Sequence, residues 1–269
     1  MSLEGPRAPA QAADAPLVVF DFDHTLYDGD SGSHLFASLI RRSVWRTLLA
    51  LLIAPIAGPM VAFLPTRRRG IGAFVWVATI FERDDFDRLI DRYVRDHAEG
   101  IQARLLPIAL GVLHAHRVAG DRVVVATGAP PRLARAILGF VAHEDLPVVG
   151  TDVARRLGAY MAVRHCHHAM KMRMLDDAGF GGTVERAYSD STADLPLLLA
   201  ARHPVVVNPK AKSVDFFRKR LPPGTPVLNW GCPGRAGGDR RSAKKRPPCA
   251  GRAVRVTRER AQRRRSGTS

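Results

Sequence analysis

The sequence predicts an α/β fold in which helices cover both faces of a parallel sheet. Short apolar runs of strand length alternate with helix-length segments along most of the chain. Acidic residues and a hydroxyl follow three of these runs directly, as is usual where parallel strands end at a ligand-binding edge. A long and largely apolar segment separates the first two predicted strands, and we interpret it as a helical insertion. At 269 residues, the chain is long enough for one core domain plus this insertion.

The individual elements follow from the apolar pattern and the polar residues that interrupt it. The predicted elements are strand 17–22, a helical cap over 31–118, strand 122–127, helix 130–140, strand 147–151, a hairpin near 152–165, helix 169–178, strand 184–189, helix 192–202 and a last core strand at 204–207. The corresponding domains are a disordered leader (1–14), a core made of 15–30 and 119–230, the cap (31–118) and a basic disordered tail (231–269).

The first apolar run ends in two aspartates, Asp21 and Asp23, one residue apart. In the turn beyond a strand, both carboxylates can converge on one crevice. One can then attack an electrophile while the other moves a proton, and an all-oxygen cluster suits a hard cation such as Mg²⁺. Aspartates also cap helices and form turns, so this pair alone leaves a structural role open.

Three further motifs follow in order. The strand predicted at 122–127 ends in Thr127 and Gly128, which would offer a hydroxyl and backbone N–H groups to an anion. Lys171 lies at the entry to a predicted helix, although a surface position on that helix is the alternative. Asp190 and Asp194 precede an apolar helix. Two acidic pairs, a hydroxyl and a lysine together indicate phosphoryl transfer beside a divalent cation.

In order and spacing these motifs resemble the haloacid dehalogenase superfamily of phosphohydrolases, over roughly residues 15 to 230. The resemblance implies a three-layer, Rossmann-like core, with a helical cap of the type found in the phosphoserine phosphatase branch. It also implies Mg²⁺ as the cofactor and an aspartyl phosphate on Asp21, with Asp23 as acid and then base. The other implied roles are metal binding by Asp21, Asp23 (through its carbonyl), Asp190 and Asp194, and phosphate binding by Thr127, Gly128 and Lys171.

Within that superfamily, the chain is similar to the phosphatidylglycerophosphatase C type of lipid phosphatase. The similarity rests on the stretches 126–133 and 188–199, on Arg164 and Cys166 before the lysine, and on the composition of the cap. The chain departs from that type at three positions. His24 and His168 stand where glycine is usual, and Met170 stands where an acid is usual.

The cap carries a second signal, because the eighteen residues from Thr47 to Leu64 have no charge. This length is the lower limit for a transmembrane span, and we expect Pro55 and Pro59 to break a straight helix. A single span would place one basic flank against the positive-inside bias, so we expect a kinked or re-entrant hairpin in the cytoplasmic leaflet. The alternative is an apolar core helix in a soluble cap. The flanking basic residues are Arg41, Arg42 and Arg46 before the segment, and Arg67, Arg68 and Arg69 after it.

The net charge of +16 is concentrated in the tail. Residues 231–269 contain thirteen Lys and Arg against two Asp and Glu, and therefore account for +11 of the total. The tail contains too few apolar residues to offset its ordering entropy. It is either a polybasic arm for anionic lipid or nucleic acid, or a dispensable extension. We expect no specific nucleic acid partner, because no aromatic residues interleave with the basic ones.

The cysteines and histidines do not predict a zinc site. Cys166, Cys232 and Cys249 show no paired spacing, and we find no secretory signal, so we expect reduced thiols facing the cytoplasm. His165, Cys166, His167 and His168 are consecutive, and consecutive residues rarely all bind one ion. We expect them to form a surface strand or loop that enters the lysine helix.

Two substrates fit the motifs. The first is phosphatidylglycerol phosphate at the cytoplasmic side of the inner membrane, which the apolar cap favours. The second is a small phosphomonoester such as phosphoserine, for a soluble cytoplasmic enzyme. A third function, basic nucleic-acid binding, depends on the tail alone and explains none of the four motifs.

Overall fold

The computed structural model describes residues 15–63 and 65–231, so the predicted leader and the predicted tail from residue 232 onward lie outside the described residues. The strands are β1 (Leu17–Phe20), β2 (Arg122–Thr127), β3 (Val148–Gly150), β4 (Asp152–Arg156), β5 (Ala159–Arg164), β6 (Val184–Ser189), β7 (Ala201–Val207) and β8 (Val227–Leu228). The helices are α1 (Ser31–Arg41), α2 (Val44–Ala62), α3 (Arg67–Thr79), α4 (Phe86–Asp96), α5 (Ala98–Gln102), α6 (Pro107–Val118), α7 (Pro131–Leu138), α8 (Ala169–Leu175), α9 (Leu195–Ala200) and α10 (Val214–Arg220).

Six strands form one parallel sheet in the order β3-β2-β1-β6-β7-β8. All four residues of β1 are buried, since the strand pairs with β2 on one side and β6 on the other. A strand buried on both faces of the sheet needs apolar side chains throughout, which explains its continuous apolar sequence. The apolar residues of the sheet pack into two clusters, one on each face. The predicted α/β fold class is confirmed.

The insertion after β1 contains α1 to α6, within residues 31–118. α2 continues through Pro55 and Pro59, so the expectation that these prolines break the helix was wrong. A proline removes one backbone donor, and the remaining hydrogen bonds of a 19-residue helix continue on either side. Gly70 of α3 lies against α2, because a Cβ there would be 2.8 Å from the carbonyl oxygen of Ala57. These two helices therefore form a closely packed hairpin.

The predicted hairpin after β3 is confirmed as the antiparallel pair β4–β5. It contacts α3, because Thr79 accepts a hydrogen bond from the backbone N–H of Tyr160 at 3.0 Å and its hydroxyl donates to the carbonyl of the same residue at 3.1 Å. Trp76 donates its indole N–H to the carbonyl oxygen of Leu157 at 3.1 Å. Through these bonds the hairpin joins the inserted helices to the segment that leads into α8.

Two predicted boundaries near the C-terminal side of the sheet were wrong. The helix expected over 192–202 ends at Ala200, because Ala201 and His203 already pair with β6. The strand expected to be last, at 204–207, is followed by β8, which pairs in parallel with β7 at the edge of the sheet. Both boundaries depend on hydrogen bonding to a neighbouring strand. Such pairing between distant segments cannot be inferred from a local apolar pattern.

Candidate active site

The sheet brings the predicted site residues to one edge. β1 pairs with β2 and β6 so that Phe20 lies level with Val125 and Tyr188. The backbone N–H of Asp21 extends this pairing by donating to the carbonyl of Tyr188 at 2.9 Å. The carboxyl ends of these three neighbouring strands therefore meet, and the crevice beyond them is where ligands bind in open parallel sheets.

Lys171 is at the centre of the site. Its ammonium donates to Oδ1 of Asp21 at 2.8 Å and to Oδ2 of Asp194 at 2.7 Å. Its side chain is only 2% exposed, which rules out the alternative of a surface lysine. Burial disfavours the charged amine, but the carboxylates of Asp194 and Asp21 outweigh this effect and raise the pKa of Lys171. One ammonium is thus fixed between the acids of the first and last motifs.

The site contains more carboxyl groups than the one ammonium of Lys171 can pair with. Burial raises the pKa of Asp21 well above its usual value; the charge of Lys171 opposes this effect, and the carboxylates of Asp194 and Asp190 add to it. One positive charge therefore does not neutralise the carboxylates at this edge. Such an excess of buried negative charge is unfavourable unless protons or a cation offset it.

Asp23 lies at the entrance to the insertion. Its Oδ1 accepts a hydrogen bond from the backbone N–H of Ser31, the first residue of α1, at 2.9 Å. Burial raises the pKa of Asp23 to about 7, with the charges of Asp30 and Asp190 adding to the rise and the Ser31 hydrogen bond opposing it. A carboxyl with this pKa can exchange a proton near neutral pH.

Thr127 is the last residue of β2, and Gly128 begins the turn that follows the strand. The Thr127 Oγ1 accepts from the backbone N–H of Ala129 at 3.0 Å, which leaves its own hydroxyl hydrogen to be donated elsewhere. The carbonyl of Gly128 accepts from the Thr151 hydroxyl at 2.6 Å, so this turn is tied to the segment after β3. The arrangement leaves the hydroxyl as a donor for an anion at the same edge.

The last motif is ordered by serines. The hydroxyl of Ser189 donates to Oδ2 of Asp194 at 2.7 Å and accepts from the backbone N–H of Ser191 at 3.1 Å. The other oxygen of Asp194, Oδ1, is buried with no hydrogen-bond partner among the described residues. Asp190 is also buried, and its charge acts on both Asp21 and Asp23.

Within residues 15–63 and 65–231, no group of three or more His, Cys, Asp or Glu side chains has the geometry of a metal site. The donors nevertheless suit a hard cation in chemical type, since they are carboxylate oxygens and carry excess negative charge. The unpartnered Oδ1 of Asp194 and the raised pKa values of Asp21 and Asp23 are what such a cation would relieve.

Comparison with protein families identifies the family of this chain. The model of the haloacid dehalogenase-like hydrolases matches residues 18–199, a span that contains every site residue described above. The chain belongs to the haloacid dehalogenase-like hydrolase family. No curated protein matches the chain. The solved structures that match are of low sequence identity to this hydrolase, so the likeness concerns its fold alone.

Three solved structures share the fold. A protein of unknown function from Bordetella pertussis Tohama I is 21% identical with a TM-score of 0.60, over 80% of this chain and 99% of that one. A substrate-bound phosphoserine phosphatase is 12% identical with a TM-score of 0.51, over 81% of this hydrolase and 94% of that chain. Cytosolic 5'-nucleotidase IIIB bound to cytidine is 13% identical with a TM-score of 0.51, over 81% and 80% respectively.

Sequence reasoning missed several residues that shape the site of this hydrolase. Ser31 and Ser189 hold Asp23 and Asp194, and both are small polar residues next to a motif, a signal too common to single them out. Asn208 donates its side-chain N–H to the carbonyl of His24 at 2.9 Å and so supports the first motif from β7. The loop 165–168 was expected on the surface, and His167 and His168 are indeed exposed. Cys166 is the exception: it is fully buried, and burial raises the pKa of its thiol to about 11.

Proposed function

We propose that this hydrolase is a Mg²⁺-dependent phosphatase that cleaves phosphomonoesters through an aspartyl phosphate on Asp21, and that its substrate is phosphatidylglycerol phosphate. The observation that carries the chemical part is the buried bridge of Lys171 between Asp21 and Asp194, with Asp23 nearby. A structural core does not need two carboxylates competing for one ammonium, whereas a metal-assisted phosphatase needs one carboxylate as nucleophile and others to hold the cation.

Each residue of this chain has a distinct task in that reaction. Lys171 holds Oδ1 of Asp21, which orients the other oxygen of that carboxylate towards the phosphorus. The hydroxyl of Thr127 and the backbone at Gly128 donate to the phosphoryl oxygens, where charge develops in the transition state. Asp23, with its pKa near 7, donates a proton to the leaving alkoxide and then accepts one from the water that hydrolyses the aspartyl phosphate.

Mg²⁺ would be held by the Asp21 carboxylate, the Asp23 carbonyl and Asp190, with Asp194 as a ligand or as support. The ion would offset the repulsion between the anionic nucleophile and the anionic phosphate. The fit rests on the donor chemistry: buried carboxylates in excess of the available positive charge, and an Asp194 oxygen that no described residue engages. Lys171 and Ser189 already occupy Oδ2 of Asp194, so Oδ1 is the atom left for an ion or its bound water.

The exposed face of α2 supports a lipid substrate. This helix is long and apolar enough to cross a membrane, with mean hydropathy 1.7, and only 17% of its most apolar window is buried. Leu48, Leu52 and Ile56 are 62%, 75% and 73% exposed. A core helix of a soluble cap would bury these side chains. We propose that they enter the cytoplasmic leaflet of the inner membrane, beside anionic lipid.

One of the arginines that was expected to face lipid does not. Arg46 is buried, donates to Oε2 of Glu82 at 3.1 and 3.2 Å, and donates to the carbonyl of Ile80 at 3.0 Å. It joins α2 to the segment after α3 and is therefore a structural residue. Arg42 forms an exposed pair with Asp96 at 3.6 Å. Arg68 and Arg69 are exposed at the start of α3, where they can still contact lipid headgroups.

A second candidate substrate is a small phosphomonoester such as phosphoserine. The favouring observation is the shared fold with a phosphoserine phosphatase over 94% of that chain. This candidate explains the four motifs equally well, but it gives the exposed apolar face of α2 no role.

A substrate panel distinguishes the two candidates. We would measure Mg²⁺-dependent phosphate release from phosphatidylglycerol phosphate in mixed micelles, from phosphoserine and from p-nitrophenyl phosphate. The proposal expects kcat/KM at least tenfold higher for the lipid than for phosphoserine. A preference for phosphoserine would instead support the small-substrate enzyme, and inactivity on all three would contradict the phosphatase assignment.

A further inference from the structure

The loop between β5 and α8 holds a histidine, His165, directly over the turn that we assign to phosphate binding. A Cβ placed on Gly128 would lie 3.9 Å from Cε1 of His165 and 4.0 Å from the carbonyl oxygen of Cys166. The imidazole of His165 therefore covers the open side of Gly128. The catalytic scheme above gives this histidine no task.

The position of His165 is fixed by its neighbour in sequence. Cys166 is fully buried, and its backbone N–H donates to the Thr151 hydroxyl at 3.1 Å. The same hydroxyl donates to the carbonyl of Gly128 at 2.6 Å. Thr151 thus ties the histidine loop and the phosphate turn together. The ring of His165 is also in edge contact with the ring of His167, with centroids 5.4 Å apart.

The Nδ1 atom of His165 is buried and makes no hydrogen bond to any residue that the structure describes. A buried polar atom without a partner is unfavourable, so its retention next to a ligand-binding turn suggests a bond that the ligand completes. A neutral imidazole can donate from Nδ1 in one of its tautomers. The ligand atom that it contacts would therefore be an acceptor.

The charges around His165 favour an anion at this place. Burial lowers the pKa of His165, and the positive groups Arg68, His168 and Lys171 lower it further, whereas the charge of Asp30 opposes them. Two of the three ammonium hydrogens of Lys171 are engaged by carboxylates. Arg68, an exposed residue at the start of α3, is close enough to His165 for its charge to act on the imidazole. His165 belongs to the core and Arg68 to the insertion.

We propose that His165 and Arg68 form a subsite for a second anionic group of the substrate, namely a phosphodiester next to the phosphomonoester that is cleaved. This inference rests on the proposed function, because phosphatidylglycerol phosphate carries such a diester one glycerol away from its terminal phosphate. A hydrogen bond from Nδ1 and the charge of Arg68 would hold the diester while Thr127, Gly128 and Lys171 hold the monoester. The subsite would then select lipid headgroups over simple phosphate esters.

The test uses two soluble substrates that differ by one charge. One is the deacylated head group, glycerophosphoglycerol phosphate, and the other is its analogue with a neutral methylphosphonate in place of the diester. We would measure the ratio of their kcat/KM values in the full-length wild type and in His165→Ala, His165→Asn, Arg68→Gln and Arg69→Gln. A ratio measured within one variant does not depend on how much of that variant is folded.

We expect the wild type to favour the charged substrate and the ratio to fall about tenfold in His165→Ala and in Arg68→Gln, the loss expected for one charge-assisted hydrogen bond. His165→Asn should keep most of the ratio, because its amide N–H can replace Nδ1. Arg69→Gln removes the same charge one residue away and should also keep the ratio. An equal fall in Arg68→Gln and Arg69→Gln would mean a general charge effect and would overturn the subsite.

The failure of this inference is distinguishable from the failure of the proposed function. If the wild type prefers the charged substrate and His165→Ala retains the preference, the subsite is wrong and the lipid substrate stands. If the wild type shows no preference, there is no subsite for a second anion. Phosphate release from phosphatidylglycerol phosphate in micelles then decides separately whether the lipid is the substrate.

Discussion

The ammonium of Lys171 lies 2.8 Å from Oδ1 of Asp21, although the two residues are 150 positions apart in the sequence. This contact holds one carboxylate oxygen of the proposed nucleophile. Because the two oxygens of a carboxylate have a fixed relative geometry, the contact also orients the other oxygen. Because Lys171 also binds Asp194 at 2.7 Å, its own position does not depend on Asp21. We therefore expect a substitution of Asp21 to leave Lys171 in place.

Replacement of Asp21 by asparagine should abolish turnover and preserve the fold. The amide oxygen can still accept the Lys171 hydrogen bond, but the amide group is a poor nucleophile. We expect kcat for p-nitrophenyl phosphate to fall by at least about 10³, the scale on which loss of a nucleophile acts. Circular dichroism should match that of the wild type, and the melting temperature should not fall. Residual activity above a few per cent would contradict the aspartyl-phosphate mechanism.

Asp23→Asn should slow the reaction according to the leaving group. An alkoxide needs a proton to depart, whereas p-nitrophenolate needs none, so the loss should be larger for an alkyl phosphate by about 10² or more. The amide oxygen of asparagine can keep the bond from Ser31, which preserves the start of α1. The measurement is kcat for both substrates in the variant and in the wild type. Equal losses would remove Asp23 from the role of general acid.

The same substitution should affect the stability of the metal-free protein in a pH-dependent way. The folded-state pKa of Asp23 is raised from 3.8 to about 7, mainly by burial. The folded protein therefore binds this proton more tightly than the unfolded chain does, and the stability from this group is present below pH 3.8 and lost as the pH rises through 7. Asparagine at position 23 has no charge at any pH, so the Asp23→Asn variant does not lose this folding stability as the pH rises.

In EDTA, we therefore expect Asp23→Asn to be more stable than the wild type at pH 8, with the difference shrinking towards pH 4. Urea unfolding at four pH values measures this difference directly. Mg²⁺ should raise the melting temperature of the wild type more at pH 8 than at pH 5, because protons compete with the ion for the same carboxylates. A stability difference that does not change with pH would contradict the raised pKa.

The sequence predicted the sheet and its catalytic edge because both depend on local patterns. Apolar runs predict buried strands, and a polar residue directly after such a run, as in Asp21 or Thr127, marks the strand end. The supporting contacts were not predictable, because they join distant positions: Thr151 to Gly128, and Asn208 to His24. Arg46 was assigned to a basic flank for the same reason, since its partner Glu82 lies 36 residues away.

His168 occupies a backbone conformation that favours glycine, with φ of 52° and ψ of −139°. Glycine adopts this conformation at the lowest cost, whereas this chain has histidine at the position. His168→Gly should stabilise the protein by about 1 kcal/mol, since a Cβ is disfavoured in this region. The neighbouring variant His167→Gly lacks that benefit and should destabilise the protein or leave it unchanged. Calorimetric melting of the two variants tests the assignment, and a lower melting temperature for His168→Gly would contradict it.

The last prediction concerns the exposed apolar face of α2, which decides where the enzyme works if its substrate is a lipid. Leu48, Leu52 and Ile56 lie four residues apart and therefore share one side of the helix. Burial of each in the leaflet should contribute about 1 kcal/mol, allowing for the part that is already covered in the protein. Replacing all three by serine should thus weaken binding to anionic vesicles by about 100-fold.

The control for that experiment is a variant with the same chemical change at exposed apolar residues on other helices, Ile108, Val118 and Leu199. This control should bind vesicles as the wild type does, and both variants should hydrolyse p-nitrophenyl phosphate normally, because none of the six residues contacts the site. Vesicle co-sedimentation measures the binding. If both triple variants bind equally well, α2 does not contact the bilayer. If the wild type itself stays in the supernatant, a soluble phosphomonoester becomes the better substrate.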